Sequence, residues 1–150
     1  MNKVDFDALS KAAYAEKSKI QEKDALWLEV FSLPEWYFIA TGTLPNIVPY
    51  IGRAEVIEPG SLWLYAFTDA NRASTFAKEN GFGSQDGSTF YLTVPNNRTI
   101  VRWIMGYKDN DVKGIFFNAD GNGFYAPIRQ LKPIKDHLAT AYPDRIQADE

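Results

Sequence analysis

Residues 62–80, LWLYAFTDANRASTFAKEN, decide the fold. Leu62 to Phe67 is a near-continuous apolar run, the pattern of a central strand buried on both faces. Thr68 then reads as a helix N-cap, with Asp69 in the first turn, where a carboxylate suits the helix dipole. Ala70, Ala73, Phe76 and Ala77 form a stripe of mostly small residues, which lets the helix lie close against a sheet. Asn80-Gly81 supplies a left-handed stop.

Upstream, Trp36 to Thr41 (WYFIAT) is short, aromatic and β-branched, and reads as a strand broken by Gly42 and Pro45. Ile47 to Ile57 holds one or two further short strands, and Glu58-Pro59-Gly60-Ser61 is a turn. Asp5 to Lys23 reads as a polar amino-terminal helix with a thin stripe of Phe6, Leu9, Ala13 and Ile20. It buries little, and either hangs off the domain or packs on a partner. Asp24 caps a second helix that carries Leu26, Trp27, Val30 and Phe31.

Downstream, Thr89 to Val94 alternates, with Phe90, Leu92 and Val94 on one face. Asn97 to Gly106 is a compact amphipathic helix, and Val112 to Asn118 the next strand. Asp120-Gly121-Asn122-Gly123 is a tight turn leading into Phe124-Tyr125. Pro127 opens a last helix through Ile128, Leu131, Ile134 and Leu138, with a break or kink expected at Pro133. Residues 143–150 read as a loose polar tail. The expected fold is α+β: one domain spanning residues 1–150, with a mixed β-sheet packed with helices, including an amino-terminal and a carboxy-terminal one.

The chain has 150 residues, 45% of them hydrophobic and 15% aromatic, with a net charge of −3, so it carries enough apolar surface for one ordinary core. Zero cysteines remove disulfides, zinc knuckles and thiol nucleophiles. The excess of 19 acidic over 16 basic residues argues against nucleic-acid binding. No apolar run approaches the roughly 20 residues that cross a bilayer, and Met1 to Ser10 lacks a signal-peptide pattern. A cytoplasmic protein away from membranes is the expectation.

Catalytic constellations fail one by one. His137, the single histidine, falls in the last helix with no nucleophile motif elsewhere, so it reads as structural. Gly83-Ser84-Gln85-Asp86-Gly87 lacks the G-x-S-x-G spacing, and Gly81, Gly83 and Gly87 do not make G-x-G-x-x-G. Asn118, Asp120, Asn122 and Gly123 match half of a calcium loop, but Arg129 stands where a bidentate glutamate belongs. A hairpin turn is the better reading. Asp109, Asp111, Glu55 and Glu58 read as solvated surface charge. No cofactor and no metal are expected.

The aromatics carry what signal remains. Trp103 lies off the helix face set by Ile100, Val101, Ile104 and Met105; with Arg98 and Arg102 it forms a candidate partner-binding surface, a composition enriched at interfaces. Trp36, Trp63 and Tyr125 are candidates for an aromatic-lined cleft.

Several of these segments together resemble a known family. The strand ending in Phe67-Thr68-Asp69, the alanine-bearing helix after it, Val94-Pro95 and Arg98-Thr99 look like the SseB protein amino-terminal domain (enhanced serine sensitivity family). Ile115 to Ala119, Phe124, Pro127-Ile128 and Leu131 continue the pattern, which covers roughly residues 26 to 138. The resemblance implies a bacterial α+β domain and no catalytic residue to carry over. The resulting expectation is a non-enzymatic module that binds another protein or a second copy of itself. The alternative is a small-ligand-binding or hydrolytic domain using the aromatic cleft.

Overall fold

Leu62–Phe67 is the central strand, β4, of a mixed sheet. The structure, a computed structural model, describes residues 4–41, 48–82, 91–97 and 99–146. Along one side of β4 run β1 (Glu35–Thr41) and β3 (Ile51–Arg53), both antiparallel to it. On its other side β6 (Val112–Phe117) runs parallel, with Leu64 opposite Ile115, and β7 (Phe124–Pro127) closes that side antiparallel to β6. Beyond β1 lies β5 (Tyr91–Pro95), paired from Glu35↔Pro95 to Ile39↔Tyr91, while β2 (Val48–Pro49) pairs with the end of β1. The expected α+β class holds, with seven strands among the described residues.

Burial of β4 on both faces follows from its side-chain parity. Leu64 and Ala66 point into a layer built with α1 (Phe6–Ala13), α2 (Ile20–Ser32), α4 (Ile100–Met105) and α5 (Ile128–Ala141). Trp63, Tyr65 and Phe67 point the other way, onto Ala73 and Ala77 of α3 (Ala70–Glu79). The small α3 stripe does what its composition implies. The helix N-cap, however, is Asp69, whose carboxylate accepts from the Arg72 N–H at 2.8 Å, and not Thr68. Thr68 is buried and committed elsewhere: its N–H donates to Asn118 Oδ1 at 3.1 Å and its Oγ1 accepts from Asn118 Nδ2 at 3.1 Å. Asn118 has φ 56°, a left-handed turn residue that ties the ends of β4 and β6 together. The half-match to a calcium loop is this hairpin turn, and Asp120 in it pairs with Arg72 at 3.1 Å.

Other boundaries move for physical reasons. The amino-terminal stretch is not one helix over Asp5–Lys23: α1 stops at Ala13 and α2 begins at Ile20, behind Lys19, with Glu22 Oε1 accepting the Lys19 N–H. Asp24 is therefore inside α2 and caps nothing. The last helix runs unbroken through Pro133, which is exposed, so the ladder bond it removes lies on the open face while Leu131, Lys135 and Leu138 hold the buried one. Residues 143–146 are docked rather than loose: Ile146 is buried, and Arg145 reaches Glu29 at 3.2 Å and Ser32 Oγ at 3.0 Å. In β5, Leu92 and Val94 share the face that sequence assigned them; Phe90 and the Gly83–Gly87 loop lie outside the described residues.

The first helix also does not hang free. Phe6, Ser10 and Ala13 are buried, and α1 lies against the turn that leads into β7. Ser10 Oγ donates to the Gly123 carbonyl and the Tyr14 hydroxyl to the Tyr125 carbonyl, both at 3.3 Å. Asp7 Oδ1 accepts the Asn122 N–H at 2.9 Å. Asp7 and Ser10 thus occupy backbone groups of the turn before β7, and Tyr14, just past the helix, occupies one on the edge strand itself. The Arg72 guanidinium, 2.7 Å from Asp7, holds that carboxyl below its ordinary 3.8, against the opposing effect of burial. Burial instead pushes Asp120 up, more than Arg72 draws it down.

A lowered carboxyl stabilises the fold above its ordinary range and loses that contribution as pH falls through the lowered value, whereas Asp120 opposes folding at neutral pH and relaxes on protonation. Acid loosening of α1 is therefore governed by Asp7. Asp7→Asn is expected to cost about 1 kcal/mol, read as faster amide exchange along Phe6–Ala13 with β4 unchanged. Equal acceleration in both elements would contradict a local tether.

Candidate functional site

Where α2 and α5 meet beside β7 they leave a groove. One wall is the first two turns of α2, with Ile20, Lys23, Asp24 and Trp27; the other is α5, with Gln130, Pro133, Ile134 and His137. Tyr14, Tyr125 and Pro127 fill the space between them, and the groove encloses about 600 Å³. Trp27 is buried at its floor, while Ile20 (63% exposed), Tyr14 (45%) and Tyr125 (39%) stand at the rim. The rings of Tyr14 and Tyr125 stack at 6.2 Å with 16° between planes, and Trp63 backs Tyr125 edge-on at 5.4 Å. Burial raises the Tyr14 pKa, opposed by a hydrogen bond with the Trp27 side chain, so its hydroxyl stays a donor to β7 at neutral pH.

Gly114 sets the shape of this corner. A Cβ there would overlap the Ala126 carbonyl and come within 2.7 Å of both Pro127 Cα and the Trp63 ring. Only a glycine lets β7 approach β6 with Trp63 crossing above it to support Tyr125.

Across the groove, His137 Nε2 lies 2.9 Å from Asp24 Oδ2, with the Asp24 side chain 15% exposed and the imidazole 52%. The lone histidine thus has the carboxylate partner that sequence reasoning did not find, 113 residues away. No described hydroxyl is hydrogen-bonded to His137, so the pair lacks the nucleophile of an acyl-transfer site. No group of three histidine, aspartate or glutamate side chains among the described residues could hold a metal ion.

The cleft expected from sequence does not exist as such. Trp36 is fully buried on the face under α2, its indole N–H donating to the Val30 carbonyl at 2.9 Å. Trp63 is 1% exposed on the opposite face of the sheet, and of the three only Tyr125 borders a groove. Even and odd positions of neighbouring strands decided the outcome, and their register is not written in either strand alone. On the other candidate surface, Arg98 lies outside the described residues and Arg102 is exposed. Trp103 is half-buried, packed edge-on against Phe38 at 5.2 Å and Tyr107 at 5.6 Å, so it offers only part of a ring to a partner.

No described helix is long and apolar enough to cross a membrane. Compared with protein-family models, with curated proteins and with solved structures, the chain finds no match.

Proposed function

We propose that this chain is a non-enzymatic binding module that holds a segment of another protein in the groove between α2 and α5. One observation carries the reading. Tyr14, Ile20 and Tyr125 are three of the six large hydrophobics exposed among the described residues, and all three meet at this groove. Clustered exposed apolar side chains over an aromatic floor are what interfaces use, whereas singly scattered ones need no explanation. The proposal carries with it a place in the SseB amino-terminal domain family, on the residues quoted for that resemblance. It also carries a cytoplasmic location away from nucleic acid, on composition.

Selection from a displayed random-peptide library tests it. Peptides enriched on the wild type are expected to lose at least about tenfold in affinity on Ile134→Glu, since burying an unpaired charge costs more than 1.4 kcal/mol. The same peptides should bind Arg102→Glu unchanged. Enrichment that survives Ile134→Glu, or no enrichment at all, contradicts the reading.

A second reading, a small-ligand or hydrolytic site, is favoured by the groove volume and by the Asp24–His137 pair at its wall. A thermal-shift screen against metabolites separates the two. A ligand whose stabilisation vanishes in His137→Ala supports this second reading.

A further inference from the structure

Asn-Gly occurs twice in the chain, at Asn80-Gly81 and Asn122-Gly123. The pair is chemically labile, because a glycine leaves the amide nitrogen after the asparagine free to approach the side-chain carbonyl carbon. Both asparagines are exposed, but the structure holds them differently. Asn80 is the C-cap of α3, where its Nδ2 donates to the Phe76 carbonyl at 2.8 Å and its N–H to the same oxygen at 3.1 Å. To react, it must release the side-chain bond that helps to end the helix. Asn122 is tied only through its backbone: its N–H donates to Asp7 Oδ1 at 2.9 Å, and its carboxamide makes no hydrogen bond among the described residues.

Packing keeps the second pair in place. A Cβ on Gly123 would come within 2.5 Å of the buried Phe116 ring and 3.2 Å of the Phe117 carbonyl, where the turn closes onto β6. Gly121 is pressed as closely on Asp7, whose Oδ1 would lie 2.6 Å from a Cβ there. The labile bond therefore sits in the turn that α1 grips.

We propose that Asn122 is a site of spontaneous covalent modification whose product loosens α1. The Gly123 nitrogen gives its proton to solvent hydroxide, leaves its hydrogen bond to the Gly121 carbonyl at 2.9 Å and attacks Asn122 Cγ. The Cγ–Nδ2 bond breaks, and the leaving nitrogen takes up a proton and departs as ammonia. Water then opens the five-membered imide at either carbonyl. One opening gives aspartate; the other gives isoaspartate, with the main chain rerouted through the side chain. Water is the only co-reactant.

Both products place a carboxylate on the residue whose N–H binds Asp7, so like charges meet at that tie. Isoaspartate also lengthens the main chain by one methylene between that N–H and the Gly123 carbonyl, which accepts from Ser10 Oγ. The two ties of α1 to the turn then no longer share one register. The Tyr14 contact with the Tyr125 carbonyl lies beyond the altered bond and is left in place.

Ageing the full chain in mildly alkaline buffer, followed by peptide mapping with mass spectrometry and an enzymatic label for isoaspartate, tests the proposal. Asn122 is expected to convert about fivefold faster than Asn80, the weight of the one side-chain hydrogen bond that Asn80 must break. In the converted protein, amide exchange along Phe6–Ala13 should be at least about fivefold faster, as for the loss of one such tie, with β4 unchanged. Asn122→Gln, which would have to close a larger ring, should age without either change; it keeps Gly123 and so avoids the collision with Phe116. Faster conversion at Asn80, no conversion at Asn122, or conversion that leaves α1 exchange as it was overturns the proposal. So does an aged Asn122→Gln variant whose α1 loosens equally.

Discussion

Trp36→Ala is expected to destabilise the protein by about 4 kcal/mol, the range for truncating a buried tryptophan, and to lower its melting temperature by about 12 °C for a chain of this size. Trp36 is fully buried, with its ring edge-on to Phe117 at 5.1 Å and tilted on Phe31 at 5.4 Å. It joins β1 to β6 across one face of the sheet and to α2. Truncation removes those contacts, opens a cavity under α2 and leaves the Val30 carbonyl without its indole donor. Trp36→Phe fills most of the cavity but not the hydrogen bond, and should cost roughly 2 kcal/mol. Denaturant unfolding followed by intrinsic fluorescence measures both. A loss under about 1 kcal/mol for Trp36→Ala would mean that the ring faces an open cleft after all, since exposed side chains are cheap to truncate.

The second large effect belongs to Asn118. Asn118→Ala removes the acceptor of the buried Thr68 N–H and leaves an alanine at φ 56°. An orphaned buried donor costs about 2 kcal/mol and a left-handed non-glycine residue about 1 kcal/mol, so about 3 kcal/mol is expected in total. Asn118→Gly separates the two contributions: it relieves the backbone but not the donor, and should fall near 2 kcal/mol. Equal stability of the alanine and glycine variants would show that backbone conformation plays no part. The amides most exposed by either change should be those at the ends of β4 and β6, where this side chain ties the strands together.

Much of the fold was legible because apolar runs and caps are local. Leu62–Phe67 carries no alternation, so only burial on both faces accounts for it, and its neighbours Leu64 and Trp63 do point into different layers. The small stripe of α3 was legible on the same grounds. Capping was read one residue early at Thr68, because a threonine and an aspartate in succession both suit an N-cap. A contact 50 residues away decides between them.

The groove was not legible. Its walls come from both ends of the chain, and Asp24 becomes a partner of His137 only once α2 and α5 lie side by side. Tyr125 borders a groove, but its companions there are Tyr14 and Trp27, not Trp36. A signal did exist: Ile20 and Tyr14 are large apolar residues in an otherwise polar stretch, and the structure leaves both exposed instead of burying them. Reading the amino-terminal segment as one thin helix hid the turn that brings Tyr14 onto β7.

Nuclear magnetic resonance mapping of a library-selected peptide on the protein tests the central claim most directly. The account predicts shift changes at the Trp27 indole, Tyr14, Tyr125 and His137, with Arg102 and the Trp103 indole undisturbed. Changes centred on Arg102 and Trp103, with the groove resonances unmoved, would contradict it.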